Sequence, residues 1–261
     1  MEGRIHSWGL GLALSAMGAL LVACNAGQSD DSTVSVQGNW SGSYSAEGSE
    51  ESTPVFALLQ DGGSAYLFDA NGVVAVLPHF SGTQRTTGRV TAYPAKGYTF
   101  ADGSSIKQFD MDASATDSEI AMDFSGDSDA AQDQKGQANL LALETYSGHP
   151  SVRSGQWMGE YISPSPVALG LDVAADGSFT GNDAYGCRLT GRLAQLAAGS
   201  TLFSVTLESQ GASPACGGAM TGLAHESDDD SFGFFRRSTG TYYYLCASNA
   251  RGAFVAEFKV Q

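Results

Sequence analysis

The chain has 261 residues, with 28 acidic against 13 basic side chains and a formal net charge of −15. Nucleic-acid binding needs cations that displace phosphate counterions, so this balance excludes it, and it disfavours adhesion of the body to anionic lipid headgroups. Charged residues make up only 16% of the chain, which excludes charge-driven disorder, and 33 glycines against 7 prolines predict many short strands joined by tight turns.

The first stretch is set apart from the rest. Arg4 is followed by an apolar run over residues 8–22, interrupted only by small residues such as Gly11, Ser15 and Gly18. A membrane span needs about 20 predominantly apolar residues. This shorter run has the composition of the apolar core of a secretory signal. It ends in Leu21-Val22-Ala23-Cys24, an aliphatic residue, a spacer, a small residue and a cysteine. In that place the four residues resemble the lipobox of bacterial lipoproteins. The resemblance implies cleavage before Cys24, a diacylglyceryl group on its sulfur, and acylation (for example by palmitate) of the new amino terminus. Two or three chains anchor firmly, at about 0.8 kcal/mol per buried methylene. Asn25, where Asp would favour inner-membrane retention in that family, implies the outer membrane. Residues 1–23 are thus expected to be a signal peptide and 24–37 a lipidated, polar, flexible tether to the membrane.

A pattern then occurs twice. Gly38-Asn39-Trp40-Ser41-Gly42-Ser43-Tyr44 returns as Gly155-Gln156-Trp157-Met158-Gly159-Glu160-Tyr161. In a strand the Trp, Gly and Tyr of this G-x-W-x-G-x-Y unit share one face. Asp61-Gly62, between apolar runs, corresponds to Asp176-Gly177, and Asp-Gly between such runs is a hairpin signal. Phe80-Ser81-Gly82 is matched to Leu189-Thr190-Gly191. The pattern predicts an internal duplication, with one domain over 38–146, a second over 155–261, and a boundary in the aperiodic stretch 147–151.

Phe203, Val205 and Leu207 alternate with polar residues, as do Phe258 and Val260, and in the first half Ile120, Met122 and Phe124 alternate with Glu119, Ala121 and Asp123. Such alternation marks antiparallel strands with one apolar face. Turn residues recur, as in Asp69-Ala70-Asn71-Gly72 and Ser248-Asn249-Ala250-Arg251-Gly252. The fold class expected is all-β, with two tandem antiparallel meanders closing into small up-and-down barrels, or packing as β-sandwiches. Closure removes exposed edges and favours the barrel. The best helical candidate is residues 192–198, about two turns long.

Three cysteines lie in the second half. An exported protein meets an oxidising compartment, and of the three pairings the favoured one joins Cys187 to Cys216, both beside glycines at expected strand ends. Cys246 lies inside an expected strand and reads as a buried thiol. No C-x-x-C spacing supports a metal site.

Catalytic chemistry is hard to find. His79, His149 and His225 are scattered and lack metal-binding spacing; His79 reads as a strand-end or surface residue. The acidic run beginning at Glu226, directly after His225, reads as a solvated hairpin loop. Asp127, Asp129 and Asp133 could offer oxygens to calcium, but the stretch lacks the pattern of an EF-hand loop. The chain contains no G-x-S-x-G elbow. No catalytic residues, metal or cofactor are therefore assigned. Trp40 and Trp157 are expected to plug the cores. Phe232, Phe234 and Phe235 with Tyr242, Tyr243 and Tyr244 form two aromatic strands around Arg236 and Arg237. They are expected to form a contact surface, although packing between the two halves accounts for them equally well.

The architecture loosely resembles surface lipoproteins built of paired small β-barrels, such as the transferrin-binding and factor H-binding lipoproteins. That resemblance implies a binding role, with an envelope or extracellular protein as partner, and supplies no binding residues. The expectation is a lipid-anchored protein of the bacterial cell envelope with a binding or interaction role. A purely structural envelope lipoprotein and an envelope hydrolase are the alternatives. A cavity lined by polar groups would mark a binder, two solidly filled barrels a structural protein.

Overall fold

The computed structural model describes residues 34–80, 85–126, 135–143, 151–227 and 240–261. The first eight strands are β1 (Gly38–Ala46), β2 (Thr53–Leu59), β3 (Gly63–Asp69), β4 (Val74–Phe80), β5 (Arg85–Tyr93), β6 (Lys107–Ala115), β7 (Glu119–Gly126) and β8 (Lys135–Ala142). Each pairs antiparallel with the next, and β8 returns to β1, closing barrel 1. The second set is β9 (Gly155–Tyr161), β10 (Val167–Val173), β11 (Ser178–Asp183), β12 (Arg188–Gln195), β13 (Leu202–Gln210), β14 (Gly218–Ser227), β15 (Tyr242–Asn249) and β16 (Gly252–Val260). It closes into barrel 2 through β16 and β9. The chain is two closed meander barrels, not sandwiches.

The duplication is visible atom by atom. Trp40 and Trp157 are buried inside their barrels. Trp40 donates through Nε1 to the Val36 carbonyl at 2.9 Å, and Trp157 does the same to Arg153 at 2.9 Å. Both contacts reach back to the segment that enters the barrel. Gly42 pairs with Leu140 across one closing seam and Gly159 with Phe258 across the other. A Cβ on Gly42 would lie 1.8 Å from the Asn139 carbonyl oxygen, and one on Gly159 1.9 Å from that of Glu257. The glycine of the repeat therefore permits close approach of two backbones at the seam.

In both barrels the entering segment closes the lower end, where β1 and β9 begin. Val36 is fully buried and its N–H donates to Asp61 at 2.8 Å. In barrel 2 the Ser151 N–H and the Arg153 guanidinium both donate to the buried Glu226, each at 3.1 Å. The end of the expected tether, residues 34–37, is thus docked rather than free, because Val36 has apolar surface to bury. Glu226 and Ser227 likewise belong to β14 and are buried instead of starting a solvated loop.

The barrels pack side by side. Phe56, Leu58, Tyr66, Phe68, Val74 and Val76 point outward from barrel 1 into an apolar layer shared with Leu223, Tyr244, Cys246 and Val255 of barrel 2. The Tyr66 hydroxyl donates to the Thr221 carbonyl and that of Tyr93 to the Asn249 carbonyl, both at 3.0 Å. Strands apolar on both faces follow from this, since one face fills a barrel and the other covers its neighbour.

Two expectations need correction. Residues 192–198 do not form a helix; most of them continue β12, which pairs with both β11 and β13. Ladder pairing and the burial of Leu189 and Leu193 outweigh local helical preference. The match of Phe80 to Leu189 is out of register, since Phe80 closes β4 while Leu189 lies near the start of β12.

Candidate functional site

The upper ends of the barrels, where β1 and β9 finish, are built from the same parts. In barrel 1 these are Tyr44, near the end of β1, and Asp69, the last residue of β3. In barrel 2 they are Tyr161, ending β9, and Asp183, ending β11. Each aspartate opens an Asp-Ala-x-Gly turn, Asp69-Ala70-Asn71-Gly72 or Asp183-Ala184-Tyr185-Gly186. Each caps that turn from within. Asp69 Oδ1 accepts the Val73 N–H at 3.0 Å, and Asp183 Oδ1 accepts that of Cys187 at 2.9 Å. The glycines at the fourth turn position have φ of +79° and +83°, a region that favours glycine.

The two ends differ in what lies on the second carboxylate oxygen. Lys96, in the loop between β5 and β6 of barrel 1, crosses over and enters the end of barrel 2. Its Nζ donates to Asp183 Oδ2 at 3.0 Å and to the Tyr161 hydroxyl at 2.7 Å, while that hydroxyl donates to the same Oδ2 at 2.8 Å. The ammonium also lies 4.0 Å from the Tyr161 ring centre and 5.3 Å from that of Phe254. Lys96 retains 8% side-chain exposure and Asp183 none. Burial lowers the Lys96 ammonium from its ordinary value, with Asp183 pulling it back up. Burial and the adjacent Asp183 carboxylate raise the Tyr161 phenol far above its usual range. Gly97, at φ +87°, lets the loop pass close over Tyr185, whose hydroxyl donates to the Lys96 carbonyl at 3.0 Å. The Cys187–Cys216 disulfide fastens this same end.

Barrel 1 is hollow where barrel 2 is plugged. A cavity of about 320 Å³ opens at its upper end, lined by Tyr44, Val55, Asp69, Phe109 and Phe124 among others. Its walls are mainly apolar, with Asp69, Tyr44, Thr53 and Lys107 as polar groups. Asp69 Oδ2 has one long contact, 3.5 Å from Asn71 Nδ2. Burial raises the Asp69 carboxyl above the usual aspartate value and the Tyr44 phenol above that of tyrosine. Phe124 meets the Tyr44 ring edge-on at 6.1 Å, as Phe254 meets Tyr161 at 5.1 Å. Lys107 is turned to the rim, 3.2 Å from Asp102. Eight-stranded barrels have an interior that side chains can just fill or that holds one small ligand. Both solutions occur in this chain.

The residues expected at functional positions separate into three groups. Cys24, Phe232, Phe234, Arg236 and Arg237 lie outside the described residues, as do Asp127, Asp129, Asp133 and His149. Tyr242, Tyr243 and Tyr244 are buried and form no exposed surface. Tyr243 stacks on Trp157 at 4.0 Å inside barrel 2, and Tyr244 stacks on Phe68 at 6.4 Å between the barrels. For Tyr244, packing between the halves is the reading that holds. Cys246 is buried, which pushes its thiol up and makes it a poor nucleophile. His79 is exposed on β4, whereas His225 is buried on β14.

From the sequence Tyr44 and Asp69 had structural roles only, in the repeat and in a turn, and Lys96 and Asp183 had none. The repeated Asp-Ala-x-Gly turn was the available signal for the two aspartates. Nothing in the loop of Lys96 marks it as a plug. Among the described residues, no group of three or more His, Cys, Asp and Glu side chains could hold a metal ion. No protein-family model, curated protein or solved structure matches this chain.

Proposed function

We propose that the chain is a lipid-anchored protein of the bacterial envelope that binds a small, partly apolar ligand in the hollow end of barrel 1. The observation that carries the binding role is the cavity of about 320 Å³; its wall is mainly apolar rather than polar as expected of a binder, and that volume with a few polar groups suits a small, partly apolar molecule. Barrel 2, filled by side chains and by Lys96, supports barrel 1 through the shared apolar layer. Anchoring is supported by Cys24 at the end of the signal-like run, with an outer-membrane address supported by Asn25. The alternatives, a purely structural lipoprotein or an envelope hydrolase, leave the asymmetry of the two barrels without a use.

Native mass spectrometry of the full chain isolated from bacterial envelopes tests both parts. The expected result is a mass increment from two or three acyl chains on wild type, absent in Cys24→Ala, together with a small molecule that Ala75→Phe excludes from the cavity. A bare N-terminus would refute the anchor. A cavity equally empty in both proteins would refute the binding role.

A further inference from the structure

The molecule contains its own occupied version of the barrel 1 site. In barrel 2, a tyrosine at the end of the first strand and an aspartate at the end of the third hold a lysine ammonium between them. Barrel 1 carries Tyr44 and Asp69 at the corresponding strand positions, both on the wall of an open cavity, with the Tyr44 ring over Gly136. We infer that this cavity binds a primary alkylammonium group, with the cation on Asp69 and Tyr44 and the aliphatic stem against Val55, Phe109 and Phe124.

Four observations support this choice of ligand. The turn geometry that aims Asp183 at Lys96 is repeated around Asp69, including the N–H donor on the residue that follows the turn. That donor and the Asn71 N–H, at 2.9 Å, both engage Asp69 Oδ1. Oδ2 is thereby the oxygen corresponding to the one that Lys96 occupies in barrel 2. Each tyrosine also has an aromatic edge beside it, though from different strands: Phe124 of β7 in barrel 1 and Phe254 of β16 in barrel 2, where barrel 1 has Gly136 against the Tyr44 ring. Lys107, the cation at the cavity rim, is held towards Asp102 at 3.2 Å, with the Phe100 ring centre 5.1 Å from its Nζ. The net charge of −15 raises the local concentration of cations and not of anions. A carboxylate in a mostly apolar cavity bears a desolvation cost that a bound cation offsets.

This inference rests on barrel 1 being the binding half, and the experiment separates the two. Pentylammonium, 1-pentanol and pentanoate have similar stems and different heads. Each is titrated into the full wild-type chain and followed by isothermal calorimetry and by NMR of the cavity methyl groups. Pentylammonium is expected to bind at least tenfold more tightly than either of the others. Asp69→Asn is expected to remove that preference at an unchanged unfolding midpoint, and Tyr44→Phe to weaken it several-fold. If 1-pentanol binds as well as pentylammonium, or Asp69→Asn keeps the preference, the ammonium site is wrong while the binding cavity stands. If none of the three binds, both fall. An acetylated, amidated Gly-Lys-Gly peptide identifies the source of the amine. Affinity equal to that of pentylammonium assigns the site to lysine side chains of proteins, and affinity tenfold weaker assigns it to free amines; either result supports the ammonium site.

Discussion

The two barrel ends show how one duplicated arrangement can become either structure or site. Both keep a tyrosine, an aspartate and an Asp-Ala-x-Gly turn. In barrel 2 the carboxylate is fully buried and satisfied by a lysine, a phenol and a backbone N–H. In barrel 1 the equivalent carboxylate lines a cavity. A buried charge persists only when it is paired and hydrogen-bonded. Barrel 2 therefore has little freedom to change at this end, and barrel 1 has more.

The largest effect is expected from breaking the filled end. Lys96→Ala removes the cation from a carboxylate with no exposure and should destabilise the chain by about 3 to 5 kcal/mol. Lys107→Ala, at the barrel 1 rim and paired with a half-exposed aspartate, should cost less than about 1 kcal/mol. Denaturant unfolding of the two variants measures this contrast, and equal losses would break it.

Acid should also act differently on the two halves. Burial holds the His225 imidazole at about 4, against its ordinary 6.5. Above pH 6.5 the imidazole is neutral in both folded and unfolded chains and stability is undiminished. Between pH 6.5 and 4 the unfolded chain takes up the proton first, so stability falls, by about 3 kcal/mol in all, and levels off below. His225→Gln should flatten that slope. Asp69 works in the opposite sense. Its folded carboxyl is raised, so its contribution favours the fold at low pH and is lost as pH rises through the folded value. Unfolding midpoints of wild type and His225→Gln across this range check the sign.

A smaller effect should be shared by both halves. Gly42→Ala and Gly159→Ala each press a methyl group into the neighbouring backbone at a closing seam, and each should cost about 1 to 3 kcal/mol. Similar losses would support a common seam, and a loss in one barrel alone would argue that the repeat closes only that barrel.

Much of the frame was legible in the residues. The G-x-W-x-G-x-Y repeat placed both first strands, alternation gave the faces, and the Cys187–Cys216 pair joins two strand ends as expected. What escaped depends on contacts between distant segments. Tyr242 to Tyr244 suggest an exposed aromatic strip only until a second barrel covers the outer face of β15. Glu226 reads as the start of an acidic loop because Arg153, the partner of its buried carboxylate, lies far away in the chain. Lys96 sits in an aperiodic loop, so neither charge nor spacing reveals that it fills the other barrel. The Asp-Ala-x-Gly repeat was visible, but its two copies gain meaning only when one is seen occupied.

The most direct measurement of the central claim is the pair of unfolding midpoints for Asp69→Asn and Asp183→Asn at pH 7. Asp183→Asn strands Lys96 in the interior and should lower stability by about 3 kcal/mol or more. Asp69→Asn removes a carboxylate whose burial opposes folding at this pH, and should leave stability unchanged or raise it by less than about 1 kcal/mol. Equal losses in the two variants would contradict the account, because they would mean that Asp69 is a structural carboxylate like its counterpart.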